Sequence, residues 1–161
     1  MKITLIAAMT EDRVIGNSGE IPWDIAGEQD HFRDETLGHP VIMGRRTFEN
    51  IVNKLGKPLP SRFNIVMSES ESYNYEQTVA ARNKQAALEA AEDSYEDEVF
   101  IAGGESIYEQ FINDADRMVL TWIKEDYDGD VYFPDFNVDE WKTQSQTITG
   151  NYSVINYERR R

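Results

Sequence analysis

"PVIMGRRTFENIV", residues 40–52, decides the fold. Its first five residues are a short, unbroken apolar run, as expected of a strand covered on both faces. Gly44 ends that run, and the spacing from Arg45 to about Val52 predicts a helix. A buried strand passing directly into a helix is the building unit of a parallel sheet. The same unit returns at "EVFIAGGESIYEQFI": a strand over 98–104, then a helix from Glu105 to Ile112. Working outward, "KITLIAAM" (2–9) reads as another doubly buried strand. A polar loop follows over 10–23, then a helix over 25–36 that Gly38 and Pro40 close. Strands are expected at 63–68, 78–81 and 117–123, and a helix of high intrinsic propensity at 83–92. The tail holds two alternating runs, "KTQSQTI" and "YSVINYE", joined at Gly150-Asn151, which is a hairpin signal. The chain therefore reads as one α/β domain over 1–161. It is expected to have a mostly parallel sheet of about eight strands, helices on both faces and a terminal antiparallel hairpin. Such sheets bind their ligands at the carboxyl ends of the strands.

Composition narrows the function. Apolar residues make up 40% of the chain and aromatics 11%, enough for a real core in 161 residues. No apolar run approaches the roughly 20 residues a membrane span needs, and no basic-then-apolar leader precedes the first strand. There is no cysteine, so neither a disulfide nor a thiolate metal site is open to the chain. That suits a reducing cytoplasm. Thirty acids against 16 bases give a formal charge of −14, which would repel nucleic acid and anionic membranes alike. The acids are scattered rather than gathered in a tail, and lysines are fewer than arginines. An intracellular protein working in molar salt fits this pattern, because screening there acts over roughly 3 Å. An ordinary acidic protein of dilute cytosol is the alternative.

Three features could carry chemistry. Arg45 and Arg46 start a helix in a chain short of positive charge, with Thr47 beside them. The helix dipole disfavours cations there unless an anion lies between them, so a bound phosphate is implied. Gly103-Gly104, between strand and helix, would let a backbone approach a second phosphate, although a plain tight turn reads the same way. It is not the G-x-G-x-x-G pattern of an ordinary Rossmann site. The third feature is Glu28, which shares a helical stripe with Ile25 and Phe32. An acid on an apolar face should be partly desolvated and suited to proton work or to gripping an amidine-like group. Glu28 and His31 at i, i+3 could instead begin a metal site, but such sites pair two of these motifs in a helix bundle; no metal is expected. Glu28 could also simply face solvent.

Five blocks, "LIAAMTEDRVIGNSGEIPW", "PVIMGRRTFENI", "KPLPSRFNIVMS", "IAGGESIYEQF" and "DGDVYFPDF", together resemble dihydrofolate reductases in order and spacing. The resemblance implies NADPH-dependent reduction of 7,8-dihydrofolate to tetrahydrofolate, in support of one-carbon and thymidylate synthesis, by a cytoplasmic monomer. It implies that Glu28 is the single active-site acid, binding the pterin edge and aiding protonation at N5. Thr121 would support it, with Trp23 in the same catalytic group. Ile6, Ala8, Trp23, Phe32, Ile51 and Leu59 match apolar walls of the pocket, Ala8 reaching the cofactor. Arg62 matches the arginine that holds the substrate's glutamate tail, a bidentate task that lysine performs poorly.

For NADPH, the resemblance implies Arg45, Arg46 and Thr47 at the pyrophosphate and adenosine phosphate. It also implies Ala102, Gly103, Gly104, Glu105, Ser106, Ile107 and Tyr108 at the glycine turn. Val14, Ile15, Gly16, Asn17, Ser18, Gly19 and Glu20 match the mobile flap over nicotinamide, with 128–130 as its partner loop. Ser68 and Glu69 fall near the adenosine 2′-phosphate. Glu69 stands where a hydroxyl or cation is common, which leaves the preference for NADPH to the two arginines. Two other readings remain open: a reductase of the same fold acting on a riboflavin-pathway pyrimidine, and a binding module without turnover.

Overall fold

A computed structural model describes residues 1–16, 28–69, 72–94 and 96–161, excluding the side chains of Glu28 and Gln29. Its centre is an eight-stranded sheet of order β5-β4-β3-β6-β1-β7-β10-β9. In chain order the strands are β1 (Lys2–Thr10), β2 (Val14–Gly16), β3 (Pro40–Gly44), β4 (Phe63–Met67), β5 (Thr78–Ala81) and β6 (Glu98–Ile101). They continue with β7 (Arg117–Ile123), β8 (Val131–Tyr132), β9 (Trp141–Ile148) and β10 (Tyr152–Arg159). The helices are α1 (Glu28–Thr36), α2 (Arg45–Leu55), α3 (Lys84–Glu92) and α4 (Glu105–Phe111). Pairings from β5 across to β7 are parallel, and both pairings of β10 are antiparallel. The expected fold is the one found.

The apolar runs work because alternate residues of each strand feed opposite faces. Leu5, Ala7 and Met9 of β1 join Ile42, Ile65 and Ile101 in one core beneath α3 and α4. Ile6, Val41, Met43, Val66, Phe100 and Val119 form a second core beneath α2, with Phe32 of α1, Ile51 and Val52 packed against it. Both faces are thus covered, which is what an unbroken apolar strand requires.

Local chemistry sets the ends. Asn83 caps α3 by accepting from the Ala86 N–H at 2.8 Å. α2 runs one turn beyond the expected Val52 and stops at Gly56, whose φ of 76° and N–H bond to Val52 O form a left-handed cap. The expected strand at 98–104 ends at Ile101, because Gly103 leaves extended geometry at φ 105°. The hairpin closes through Thr149 N–H to Tyr152 O at 2.8 Å, as Gly150-Asn151 suggested.

One element is new. Within the supposed polar loop, β2 pairs antiparallel with β8 to make a separate two-stranded sheet. The pairing needs glycine: a Cβ on Gly129 would drive into Val14 Cγ1 and the Gly16 carbonyl.

Candidate active site

The chain enters at β1, in the middle of the sheet. It builds outward through β3, β4 and β5, then returns to place β6 between β3 and β1 and β7 on the other side of β1. The direction of winding therefore reverses around β1 and β6, where open α/β sheets leave a crevice beyond the strand carboxyl ends. Two glycine turns meet there. Gly44 ends β3 and Gly103 follows β6, and the Gly44 N–H donates to Gly103 O at 2.8 Å. The Gly103-Gly104 peptide is cis. Neither position has room to spare. A Cβ on Gly44 would lie 3.2 Å from Ile107 Cγ1, and one on Gly103 would lie 3.1 Å from the Tyr108 ring and hydroxyl. Tyr108 is itself fixed, donating its hydroxyl to Ile6 O at 2.7 Å.

Both following helices start without a side-chain cap, at Gly44 and Gly104, and the first turn of α2 contains no acid. Their leading N–H groups therefore keep the partial positive charge of an open helix end. Arg45 and Arg46 are exposed on that first turn, Arg45 within 3.7 Å of Glu49. Thr47 is half-buried, its hydroxyl 3.9 Å from where a Gly104 Cβ would sit. Two open amino ends, two guanidinium groups and glycines that permit close approach make a donor set suited to a polyanion. This matches what the phosphates of NADPH require.

The other residues expected at the cofactor lie in several elements. Ala102 is half-buried at the end of β6, with its N–H on Ile42 O at 2.9 Å. Ile107 and Tyr108 are buried, and Ser106 is exposed. Glu105 is half-buried and accepts from the Tyr132 N–H at 2.9 Å. Ser68 follows β4, and Glu69 is exposed. Val14, Ile15 and Gly16 constitute β2. Asn17, Ser18, Gly19, Glu20 and Trp23 lie outside the described residues.

The second half of the site lies on the α1–α2 face. Ile6, Leu59, Phe32 and Ile51 share one apolar cluster there. Ala8 of β1 is in register with Thr121 of β7, and Thr121 with Val154 of β10. Ala8 and Thr121 lie two residues beyond Ile6 and Val119 on their strands, so they share that face. Thr121 is only 3% exposed. Glu28 is the first residue of α1, one helical turn before Phe32; its side chain lies outside the described residues.

Arg62 closes this face at the far end. It is 5% exposed, and its donors reach Pro60 O (2.9 Å, from Nε) and Thr36 Oγ1 (3.1 Å, from Nη1). The Thr36 hydroxyl in turn donates to Phe32 O at 2.8 Å. No carboxylate pairs with Arg62 among the described residues. Burial lowers its pKa, and the positive field of Arg33 lowers it further. A guanidinium has five donors, and these contacts leave several of them for something else. The loop is held ready by Asn64, which is fully buried in β4. Its Oδ1 accepts from the Leu59 N–H (3.1 Å), and its Nδ2 donates to Leu59 O (3.0 Å) and Arg62 O (2.9 Å). Sequence reasoning missed Asn64; the signal was a lone amide inside the apolar run "FNIVM". It placed 128–130 as the flap's partner loop but did not read the steric need for glycine at 129 or the bond made by Glu105.

Comparison with known proteins agrees with this geometry. The family model described as dihydrofolate reductase matches residues 2–159. Dihydrofolate reductase HdrB of Haloferax volcanii is 34% identical over 99% of this chain and 84% of its own. The Staphylococcus haemolyticus dihydrofolate reductase is 38% identical over 90% of this chain and 84% of its own. A solved structure of the Enterococcus faecalis dihydrofolate reductase, complexed with NADP(H) and RAB-propyl, superposes with a TM-score of 0.86. That likeness covers 99% of this chain and 97% of the other, at 26% identity.

Proposed function

The chain belongs to the dihydrofolate reductase family, and from that membership we infer that it reduces 7,8-dihydrofolate to 5,6,7,8-tetrahydrofolate with NADPH. The family match over 2–159 is the observation that carries this conclusion. NADPH, when bound, supplies a hydride for C6 of the pterin.

The chain's own residues do the rest. Arg45, Arg46, Thr47 and the turn at Gly103-Gly104 hold the cofactor phosphates by charge and open N–H groups. Ile6, Ala8, Phe32, Ile51 and Leu59 wall the rings from water, a task the resemblance also gives to Trp23. Glu28 grips the 2-amino group and ring N–H of the pterin and raises the local proton supply to N5. Its place one turn before Phe32, on a helix packed over an apolar cluster, supports this role; a poorly solvated carboxylate holds a proton more readily. Thr121, buried on the same face, steadies that acid. Arg62 takes the substrate's α-carboxylate, and its buried, acid-free setting supports the assignment.

One sheet carries both halves of the site, which supports a single domain over the whole length. Net charge of −14 and the absence of cysteine support a monomer in a reducing cytoplasm, working in concentrated salt. No described helix is long and apolar enough to cross a membrane.

The direct test mixes protein, NADPH and dihydrofolate and follows the loss of reduced nicotinamide. Turnover is expected. Loss only with a pyrimidine substrate would favour the riboflavin-pathway reading, and no loss at any salt concentration would leave a binding module. Salt adaptation has its own check: the melting temperature should rise from dilute buffer to molar KCl. A flat or falling profile would remove that reading.

A further inference from the structure

We propose that Glu105 is a positioning residue that latches the small β2–β8 sheet onto the cofactor turn; this rests on the reductase reading above. An acid in the first turn of a helix ordinarily answers that helix's own free N–H groups. Glu105 does not cap α4. Its carboxylate instead accepts from the backbone N–H of Tyr132, 27 residues further along, at 2.9 Å. Two consequences follow. The amino end of α4, directly after Gly103-Gly104, keeps its donors for an anion. Meanwhile β8 is tied to the residue that follows the cofactor turn.

A second tie runs in parallel. Phe133, next to Tyr132, is 1% exposed and packs its ring 4.9 Å from that of Tyr108, whose ring also lies against Gly103. From β8 the connection passes to β2. Val14 pairs with Tyr132 and Gly16 with Val131, the Asp130 N–H meets Gly16 O at 3.1 Å, and the Phe133 N–H meets Arg13 O at 2.8 Å. The proposed latch therefore sets the position of Gly16, the end of β2, relative to the cofactor turn. The phenylalanine contact is apolar and tolerates sliding, whereas the carboxylate bond is directional and fixes register. Glu105 acts through β8, without needing to touch cofactor itself.

The test compares wild type with Glu105→Ala and Glu105→Gln. A carboxamide oxygen can still accept the Tyr132 proton, and a methyl group cannot. Glu105→Ala should raise both Kd and KM for NADPH roughly tenfold, the scale of one lost hydrogen bond to a charged group. KM for dihydrofolate should stay within about twofold. Glu105→Gln should recover most of the loss. Amide hydrogen exchange at Tyr132 should accelerate in Glu105→Ala and stay slow in wild type and Glu105→Gln. An alanine variant with wild-type or tighter NADPH binding overturns the proposal, as does a glutamine variant as impaired as alanine. Exchange at Tyr132 is read without turnover, so an inactive wild type would sink the reductase reading while leaving the latch to stand or fall on its own.

Discussion

Two arginines, Arg62 buried and Arg117 half-buried, are treated in contrasting ways. Arg117 begins β7 and answers two acids: Nη1 lies 3.0 Å from Glu98 and Nη2 lies 3.6 Å from Glu35, while Nη2 also donates to Asn156 Oδ1 at 2.9 Å. Glu98 takes a further bond from Thr4 Oγ1 at 2.5 Å. This network joins the end of α1 to four strands, β1, β6, β7 and β10. Arg62, more deeply buried, has only a carbonyl and a hydroxyl for partners and the charge of Arg33 in its field. Desolvating an ion costs several kcal/mol unless an opposite charge repays it. At Arg117 the chain supplies that charge, and the group braces the fold. At Arg62 no described residue supplies it, which fits the contact with a substrate carboxylate proposed above. A buried charge completed from within reads as structure, and one left incomplete reads as a binding site.

Substitution can break this contrast. Arg62→Met should lower kcat/KM for dihydrofolate by about 10²-fold, the scale of two charge-assisted hydrogen bonds. KM for NADPH should be unaffected, and thermal stability should hold or rise, because a buried unpaired cation is gone. A destabilised variant with normal kinetics would make Arg62 a brace after all. Arg117→Met should do the reverse. Steady-state constants should stay near wild type, while denaturant titration shows a loss of about 1–2 kcal/mol, reduced because the network is a quarter open to solvent. Smaller again is Asn83→Ala. It removes the α3 cap for about 1 kcal/mol on the face opposite the pterin half of the site, and a change in KM for dihydrofolate would show that the two faces are not independent.

Much of this architecture could be read before folding. The strands at 40–44, 78–81 and 117–123 have the expected ends, because unbroken apolar runs flanked by glycine, proline or polar residues leave little choice. The strand character of β2 and β8 was not legible from local pattern, although resemblance had set 128–130 beside the segment from Val14. Strands of three and two residues carry too little periodicity to register, and their pairing depends on Gly129, over a hundred residues from Gly16. The site divides the same way. Arg62 and the apolar walls were assigned by resemblance, but the lack of a carboxylate partner for Arg62 among the described residues, the bonds of Asn64 and the partner of Glu105 are facts of tertiary contact. No local pattern encodes them.

The proposed role of Glu28 is to couple substrate binding to proton delivery. Glu28→Gln, assayed for turnover across pH, tests it most directly. The expected variant folds, binds NADPH normally and loses on the order of 10² in kcat at neutral pH, the loss easing as bulk protons become plentiful. A variant that turns over near the wild-type rate at neutral pH would contradict the account.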